Sequence, residues 1–367
     1  MTDSDIIATL RLQRIPNIGD VTAKKLITHC GSSTAIFEEK RNNLLKIDGI
    51  GAFTLTNLQD KIHLEEAQAE LAYIKKNDIK ITYFMGADYP EYLRHCIDSP
   101  ILLFSKGKID LAQRKIIGVV GTRNITSYGN AFCEKLIEDL APLNPIIVSG
   151  FAYGVDICIQ KAAIKHGLQT IGCLAHGLNQ IYPKVHAKYM PDVEKNGGFY
   201  TEFWSTSSPE RENFLKRNRI IAGMSEATIV IESAEKGGSL VTADIAHSYN
   251  RDVFAVPGRA EDKYSTGCNN LIKQQKAHML TSAADLIYLL NWELEDKKTK
   301  PVQKQLFVEL DDTEQLIYTY LQTNGKQVLD SIALDCKLPI FKISSTLLTM
   351  EMKGLIRPLP GKLFEAL

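Results

Sequence analysis

The chain has no net charge: its 367 residues hold 43 Lys and Arg against 43 Asp and Glu. A basic coat is excluded, so any nucleic-acid site must be a local concentration of cations. It has no C-x-x-C pair. Its seven cysteines, Cys30, Cys96, Cys133, Cys158, Cys173, Cys268 and Cys336, are odd in number and scattered, mostly in apolar runs. That pattern suits reduced, buried thiols and neither a zinc site nor a disulfide framework. No apolar run approaches ~18 residues. The opening stretch, MTDSDIIATL, lacks a basic n-region and a long apolar h-region. No signal peptide and no membrane partner are therefore expected, and a cytoplasmic location is.

With 44% apolar and 23% charged residues, the chain reads as globular, and at ~150 residues per domain it has room for two or three domains. Residues 1–82 are short amphipathic segments with glycine-containing turns. Two of them look alike: Leu12 to Leu26, turning at Asn17-Ile18-Gly19, and Leu45 to Leu55, turning at Gly49-Ile50-Gly51. Each reads as helix, tight turn, helix, the pattern of tandem helix-hairpin-helix motifs that hold nucleic-acid backbone on exposed amides. The second turn fits better, since Asn17 stands where the first hairpin would have glycine; Asn tolerates the left-handed conformation. The alternative is a helical domain whose turns serve packing or protein contact.

Residues 83–290 change pattern. Apolar β-rich runs at 116–120, 145–149, 170–174, 198–202, 227–232 and 252–256 alternate with helical stretches. Continuous apolar strands between helices imply a mostly parallel sheet covered on both faces, an α/β, Rossmann-like doubly wound fold. Residues 291–310 are polar and read as a linker. In 311–367, helices at 311–321, 328–335 and 340–354 precede short strands at 355–358 and 362–366 around Gly361, a winged-helix-like pattern. Its third helix offers only Lys342 and Lys353 against Glu351, so protein contact is expected of it rather than DNA contact.

Ligands of doubly wound sheets sit at the carboxyl ends of the strands. Three glycine turns fall there: Gly121-Thr122-Arg123, Ser149-Gly150 running on to Gly154-Val155-Asp156, and Lys236-Gly237-Gly238-Ser239. Such turns present amides and helix N-termini to anions, and Arg123 adds a guanidinium that can fork onto phosphate. No G-x-G-x-x-G fingerprint is present and no acidic residue follows the next strand, so NAD is disfavoured and no cofactor is expected. The run Phe214-Leu215-Lys216-Arg217-Asn218-Arg219 packs three cations, an amide and an aromatic ring together. Placed in the first turns of a helix, these cations oppose its dipole, a cost that a bound polyanion would offset. Phe214, and with it Tyr128 or Tyr153, could stack bases. The alternative pairs Arg217 or Arg219 with Glu202, Glu226 or Glu232.

Read together, Tyr89-Pro90, Asp98-Ser99-Pro100, Gly121-Thr122-Arg123, Val148-Ser149-Gly150, Gly154-Val155-Asp156, Tyr182-Pro183, Arg217-Asn218-Arg219-Ile220-Ile221-Ala222-Gly223, Gly238-Ser239-Leu240, Val256-Pro257-Gly258 and Gly267-Cys268-Asn269 resemble the DNA-processing protein A (DprA/Smf) family over residues 89–280. The resemblance implies single-stranded DNA binding in the crevice, homodimerisation through the Rossmann-like domain, and loading of RecA recombinase during natural transformation and recombination. It assigns backbone contact to Arg123 and to Lys216, Arg217, Asn218 and Arg219, and amide or hydroxyl contact to Gly121, Ser149, Gly150, Gly238 and Ser239; Thr122 and Lys236, in the same turns, join Phe214 as further candidate DNA-binding residues. The chain departs from the family at Ile159-Gln160, where Ala-His is usual; a structural hydrogen bond could survive in Gln160.

The runner-up is a nucleotide-processing, phosphoribohydrolase-like enzyme. Gly237-Gly238-Ser239 echoes its glycine turn, and Asp156 with Glu202 could act as a carboxylate pair. No nucleophile–base spacing supports it, and His176 and His186 have no partners at metal spacing. The third reading is a pure protein-interaction scaffold.

Overall fold

The N-terminal helices begin where the sequence places caps. Thr2 and Asp5 form a capping box at the start of α1 (Asp3–Arg14), and Gly31, at φ 87°, closes α2 (Asp20–Cys30). Asn17 takes φ 68° in the turn between them, so the first hairpin forms without its glycine. The second does not, contrary to expectation. After α3 (Ser33–Glu38), α4 (Arg41–Leu44) and Gly49, at φ 79°, residues 52–59 are turns. There the backbone bonds run three residues apart, from Thr56 N to Phe53 O (3.3 Å) and Leu58 N to Leu55 O (3.4 Å), while the Arg41 guanidinium donates to the carbonyls of Ala52 (2.9 Å) and Leu55 (2.8 Å). Helix formation resumes at α5 (Lys61–Lys76), capped by Asp60.

A computed structural model describes residues 1–112, 115–292, 310–359 and 363–367. The chain divides into two compact units, Met1–Leu294 and Glu295–Leu367. In the first, the helical core of Leu10, Leu26, Ile36 and Leu71 continues into Ile101, Leu102, Phe104 and Trp204, so the helices share apolar packing with the sheet.

That sheet has nine strands: β1 (Lys80–Tyr83), β2 (Leu102–Gly107), β3 (Ile116–Val120), β4 (Ile146–Ser149), β5 (Thr170–Cys173), β6 (Gly197–Thr201), β7 (Ala227–Val230), β8 (Asp252–Ala255) and β9 (His278–Met279), in the order β1-β2-β6-β5-β4-β3-β7-β8-β9. Strands β3 to β9 are parallel, and β1 and β2 add an antiparallel edge. Short α6 (Glu91–Arg94) lies between β1 and β2 in the chain. One face is covered by α7 (Ser127–Leu140) and α8 (Val155–Lys165), with Leu136, Ile137 and Ile159 in its core. Next in the chain is α9 (Met190–Asn196), whose Val193 packs with Phe151, Leu174 and Phe199. The opposite face is covered by α10 (Arg211–Met224), α11 (Gly238–Ser248) and α12 (Thr266–Lys273), through Ile220, Ala243 and Leu271. Helix α13 (Ala283–Leu289) returns to the first face through Leu286. From β3 the strand order steps one way to β4 and β5 and the other way to β7 and β8. The topological switch point therefore lies between β3 and β7.

In the second unit, α14 (Asp312–Asn324), β10 (Gln327–Val328), α15 (Leu329–Asp335), α16 (Ile340–Met352), β11 (Ile356–Leu359) and β12 (Leu363–Ala366) enclose Ile317, Leu321, Ile332, Ile343, Leu347 and Ile356. The strands order as β10-β12-β11, a winged-helix arrangement. Val328, expected to open a helix, is in β10. Most of the expected linker, residues 293–309, and the turn residues Gly361 and Lys362 lie outside the described residues. Trp292, placed in that linker, is buried in the first unit with its indole N–H on Glu226 at 3.2 Å. Among the described residues no helix is long and apolar enough to cross a membrane.

Candidate nucleic-acid interface

At the switch point the turns after β3 and β7 open a cleft of about 970 Å³. Gly121, Thr122, Arg123 and Asn124 line it from β3, and Ser233, Lys236, Gly237, Gly238 and Ser239 from β7. The turn after β3 is held by backbone: Thr122 N donates to Glu232 O (2.8 Å), and Val155 N donates to Thr122 O (3.1 Å). A Cβ on Gly121 would stand 2.4 Å from a Val155 methyl, so the strand ends and α8 can approach this closely only through glycine. Thr126 caps α7, and its own amide donates to the buried Glu232 carboxylate at 2.9 Å. Glu232 thus fixes a helix start and pairs with no arginine among the described residues.

Helix α10 forms the third wall with Arg211, Phe214, Leu215, Arg217 and Asn218. Arg217 is 4% exposed. Its Nη1 donates to Gly150 O at 2.7 Å and also to Cys173 O, and its Nε donates to Asn218 Oδ1 at 3.2 Å. It therefore ties α10 to the ends of β4 and β5. Asp156 accepts from the amides of Gly150 (3.1 Å) and Ala152 (3.4 Å). Burial raises the Asp156 carboxyl above its ordinary value, with Arg217 opposing. Burial likewise lowers the Arg217 guanidinium, with Asp156 opposing. The Phe214 ring has the Arg123 guanidinium at 5.6 Å, that of Arg217 at 5.9 Å and the Tyr182 ring edge-on at 5.6 Å.

The run 214–219 was expected in the first turns of a helix and on one crevice, and both expectations are corrected. The helix starts at Arg211, so these cations sit in its middle and carry no dipole cost there. Its 3.6-residue period splits them. Phe214, Arg217 and Asn218 face the switch-point cleft, whereas Lys216 and Arg219 line another cleft of about 770 Å³, beneath the N-terminal helices. There Arg219 pairs with Glu202 and with Asp20 (3.0 Å) and donates to Asp98 O, which is the structural ion pair held open as the alternative. Burial pushes the Glu202 carboxyl up to about 7, Arg219 opposing and Asp20 adding to it.

Ser149 and Gly150 do not reach the cleft either. The Ser149 hydroxyl is spent on Val119 O (2.7 Å) and the Gly150 amide on Asp156. Tyr153 lines the cleft; Tyr128 bonds Pro257 O at 3.1 Å instead. Asp156 and Glu202 open onto different clefts, so they form no carboxylate pair. His176 Nδ1 lies 2.9 Å from Gly177 O and His186 Nδ1 lies 3.0 Å from Phe151 O. Among the described residues no group of His, Cys, Asp and Glu could hold a metal. Gln160 is fully buried, and neither end of its amide has a hydrogen-bond partner among them, so the bond that Gln160 could have kept is not made. The cationic and aromatic lining residues that were not foreseen as site residues are Arg211, Tyr182, Lys263 and Tyr264. Only Tyr182 carried a signal, in its Tyr-Pro pair.

The molecule is thus a doubly wound α/β protein with a cation-rich cleft at its switch point and a C-terminal winged helix. The chain belongs to the DNA recombination-mediator protein A family, whose model matches residues 80–291, and the DprA winged helix domain model matches residues 303–362. It is 36% identical to DNA processing protein DprA of Bacillus subtilis over 65% of this chain and 80% of that one. The structure of DNA processing protein A from Streptococcus pneumoniae superposes with TM-score 0.65 at 29% identity, over 78% of this chain and 98% of that one. The Helicobacter pylori protein, whose structure concerns its single-stranded DNA binding mode, gives TM-score 0.52 at 27% identity, over 58% and 95%.

Proposed function

We propose that this protein binds single-stranded DNA in the switch-point cleft and acts in the cytoplasm as a recombination mediator, protecting incoming strands and loading RecA recombinase as a homodimer. One observation carries the reading. In a chain of zero net charge, the cleft gathers Arg123, Arg211, Arg217, Lys236 and Lys263 against, among the described residues, a single carboxylate, Asp156, which backbone amides already hold. Beside those cations stand Tyr153, Tyr182, Phe214 and Tyr264. Cations for phosphates beside rings for bases are the two components of single-strand recognition. A duplex keeps its bases stacked inside and gives such rings nothing to hold. Family membership and the Helicobacter pylori relative support the same reading, and a nucleotide-processing enzyme lacks its carboxylate pair.

The test is oligo-dT binding by the full chain across a salt series. Each phosphate contact contributes about 0.7 to the slope of log affinity against log salt. Arg123→Ala with Lys236→Ala is expected to weaken binding and flatten that slope by roughly 1.4, evenly across base compositions. An unaltered slope and affinity would remove DNA from this cleft. RecA loading predicts faster RecA filament growth on DNA coated by a single-strand-binding protein; no acceleration by a DNA-binding-competent chain refutes it. A monomer mass by sedimentation at all concentrations refutes the dimer.

A further inference from the structure

Tyr264 lies in the loop after β8, between Val256-Pro257-Gly258 and Gly267-Cys268-Asn269 and itself outside the residues that carry the family resemblance. Its backbone carbonyl accepts a hydrogen bond from Ser233 N at 2.7 Å, fastening the loop to the turn after β7. Its hydroxyl accepts one from Asn124 Nδ2 at 3.2 Å, one residue beyond Arg123. The Lys263 ammonium stands 5.6 Å from the Tyr264 ring centroid. Lys263 is exposed and has no ion pair among the described residues. Packing accounts for neither side chain, since Tyr264 is only half-buried and both open onto the cleft.

Followed along the cleft, the wall alternates. Tyr182 and Phe214 form one aromatic group, Arg123 follows at 5.6 Å from Phe214, and Tyr264 with Lys263 comes next across Asn124. A single strand alternates in the same way, each nucleotide offering a flat base and an anionic phosphate. We infer that Tyr264 and Lys263 form a second nucleotide station, a base platform with its own phosphate-binding cation, beyond Arg123 from the Phe214 station on the same strand. The inference rests on the cleft binding single-stranded DNA. Its distinctive consequence is a dependence on length: a strand too short to pass Arg123 occupies one station only.

The experiment measures affinity of the full chain for oligo-dT of about 4 to about 16 nucleotides, the span of single-strand site sizes, for wild type, Tyr264→Ala, Tyr264→Phe and Phe214→Ala. Tyr264→Ala is expected to leave the shortest oligonucleotides unaffected and to weaken the longest by roughly five- to a hundred-and-fiftyfold, the range of one lost base stack. Tyr264→Phe, which keeps the ring, is expected to stay near wild type, and Phe214→Ala to weaken every length. Two outcomes overturn the second station. In one, Tyr264→Ala is silent at all lengths while Phe214→Ala is not. In the other, Tyr264→Phe and Tyr264→Ala weaken all lengths alike, which makes the hydroxyl a brace for the Arg123 turn through Asn124. If neither Phe214→Ala nor Tyr264→Ala matters at any length, the DNA reading falls and takes the station with it.

Discussion

Arg217 and Arg219 stand two residues apart on α10 and serve different ends. Arg217 points toward the switch-point cleft, where it holds the carbonyls of Gly150 and Cys173 and faces a carboxylate already satisfied by amides. Arg219 points beneath the N-terminal helices into a pair of carboxylates, Glu202 and Asp20. On the first face positive charge is in excess; on the second it is matched. The difference shows that a run of cations in a sequence is not a surface. A helix turns it through ~100° per residue, and what meets each face decides whether a cation is left for a ligand.

The largest expected effect comes from Arg217→Ala. It leaves two buried carbonyls without donors and Asp156 without an opposing charge, so unfolding free energy in urea should fall by about 3 kcal/mol or more, with DNA binding lost alongside. A variant of wild-type stability would mean that Arg217 is held only loosely and is a free cation like Arg123. Glu202→Gln tests the matched face through pH. The folded protein holds the Glu202 proton more tightly than the unfolded chain does, so this group's contribution is full below pH 4.5 and is lost as pH rises to about 7. Glu202→Gln should flatten the pH dependence of the urea midpoint across that window while leaving DNA affinity unchanged. A variant that keeps the wild-type slope assigns that dependence to other groups.

Much of the fold was legible because burial on both faces leaves an uninterrupted apolar run. Ile116–Val120 is buried at every residue and reads as a strand on sight. His278–Met279 is two exposed residues paired with β8, and nothing in its pattern marks it. The site was legible where glycine is forced by close approach, as at Gly121, and misread where a polar group is consumed internally. Ser149 and Gly150 stand at a strand end as a phosphate cradle would, yet Val119 and Asp156 take their hydrogen bonds. Periodicity does not reveal such pairings, because they join residues through the fold and not along the chain. The same holds for Lys263 and Tyr264, which the β8 loop delivers to the cleft from a stretch without local pattern. The two hairpins make the point at short range. A Gly-Ile-Gly turn fits the motif better than Asn-Ile-Gly, yet the chain after it forms turns whose carbonyls at Ala52 and Leu55 meet the Arg41 guanidinium.

The smallest expected effect decides whether the two faces of α10 are separate. Lys216 is exposed, lies between Leu215 and Arg217 in the chain, and lines the cleft beneath the N-terminal helices. If the strand stays in the switch-point cleft, Lys216 contributes only a long-range attraction, which salt screens beyond ~10 Å. Lys216→Ala should then change oligo-dT affinity by less than about twofold and leave the salt slope within about 0.2 of wild type, against the ~0.7 of one phosphate contact. A slope reduced by a full contact would carry the strand over α10 from one cleft to the other. The distinction between a ligand-facing and a structural face of that helix would then be lost for Lys216, and would survive only for the ion-paired Arg219.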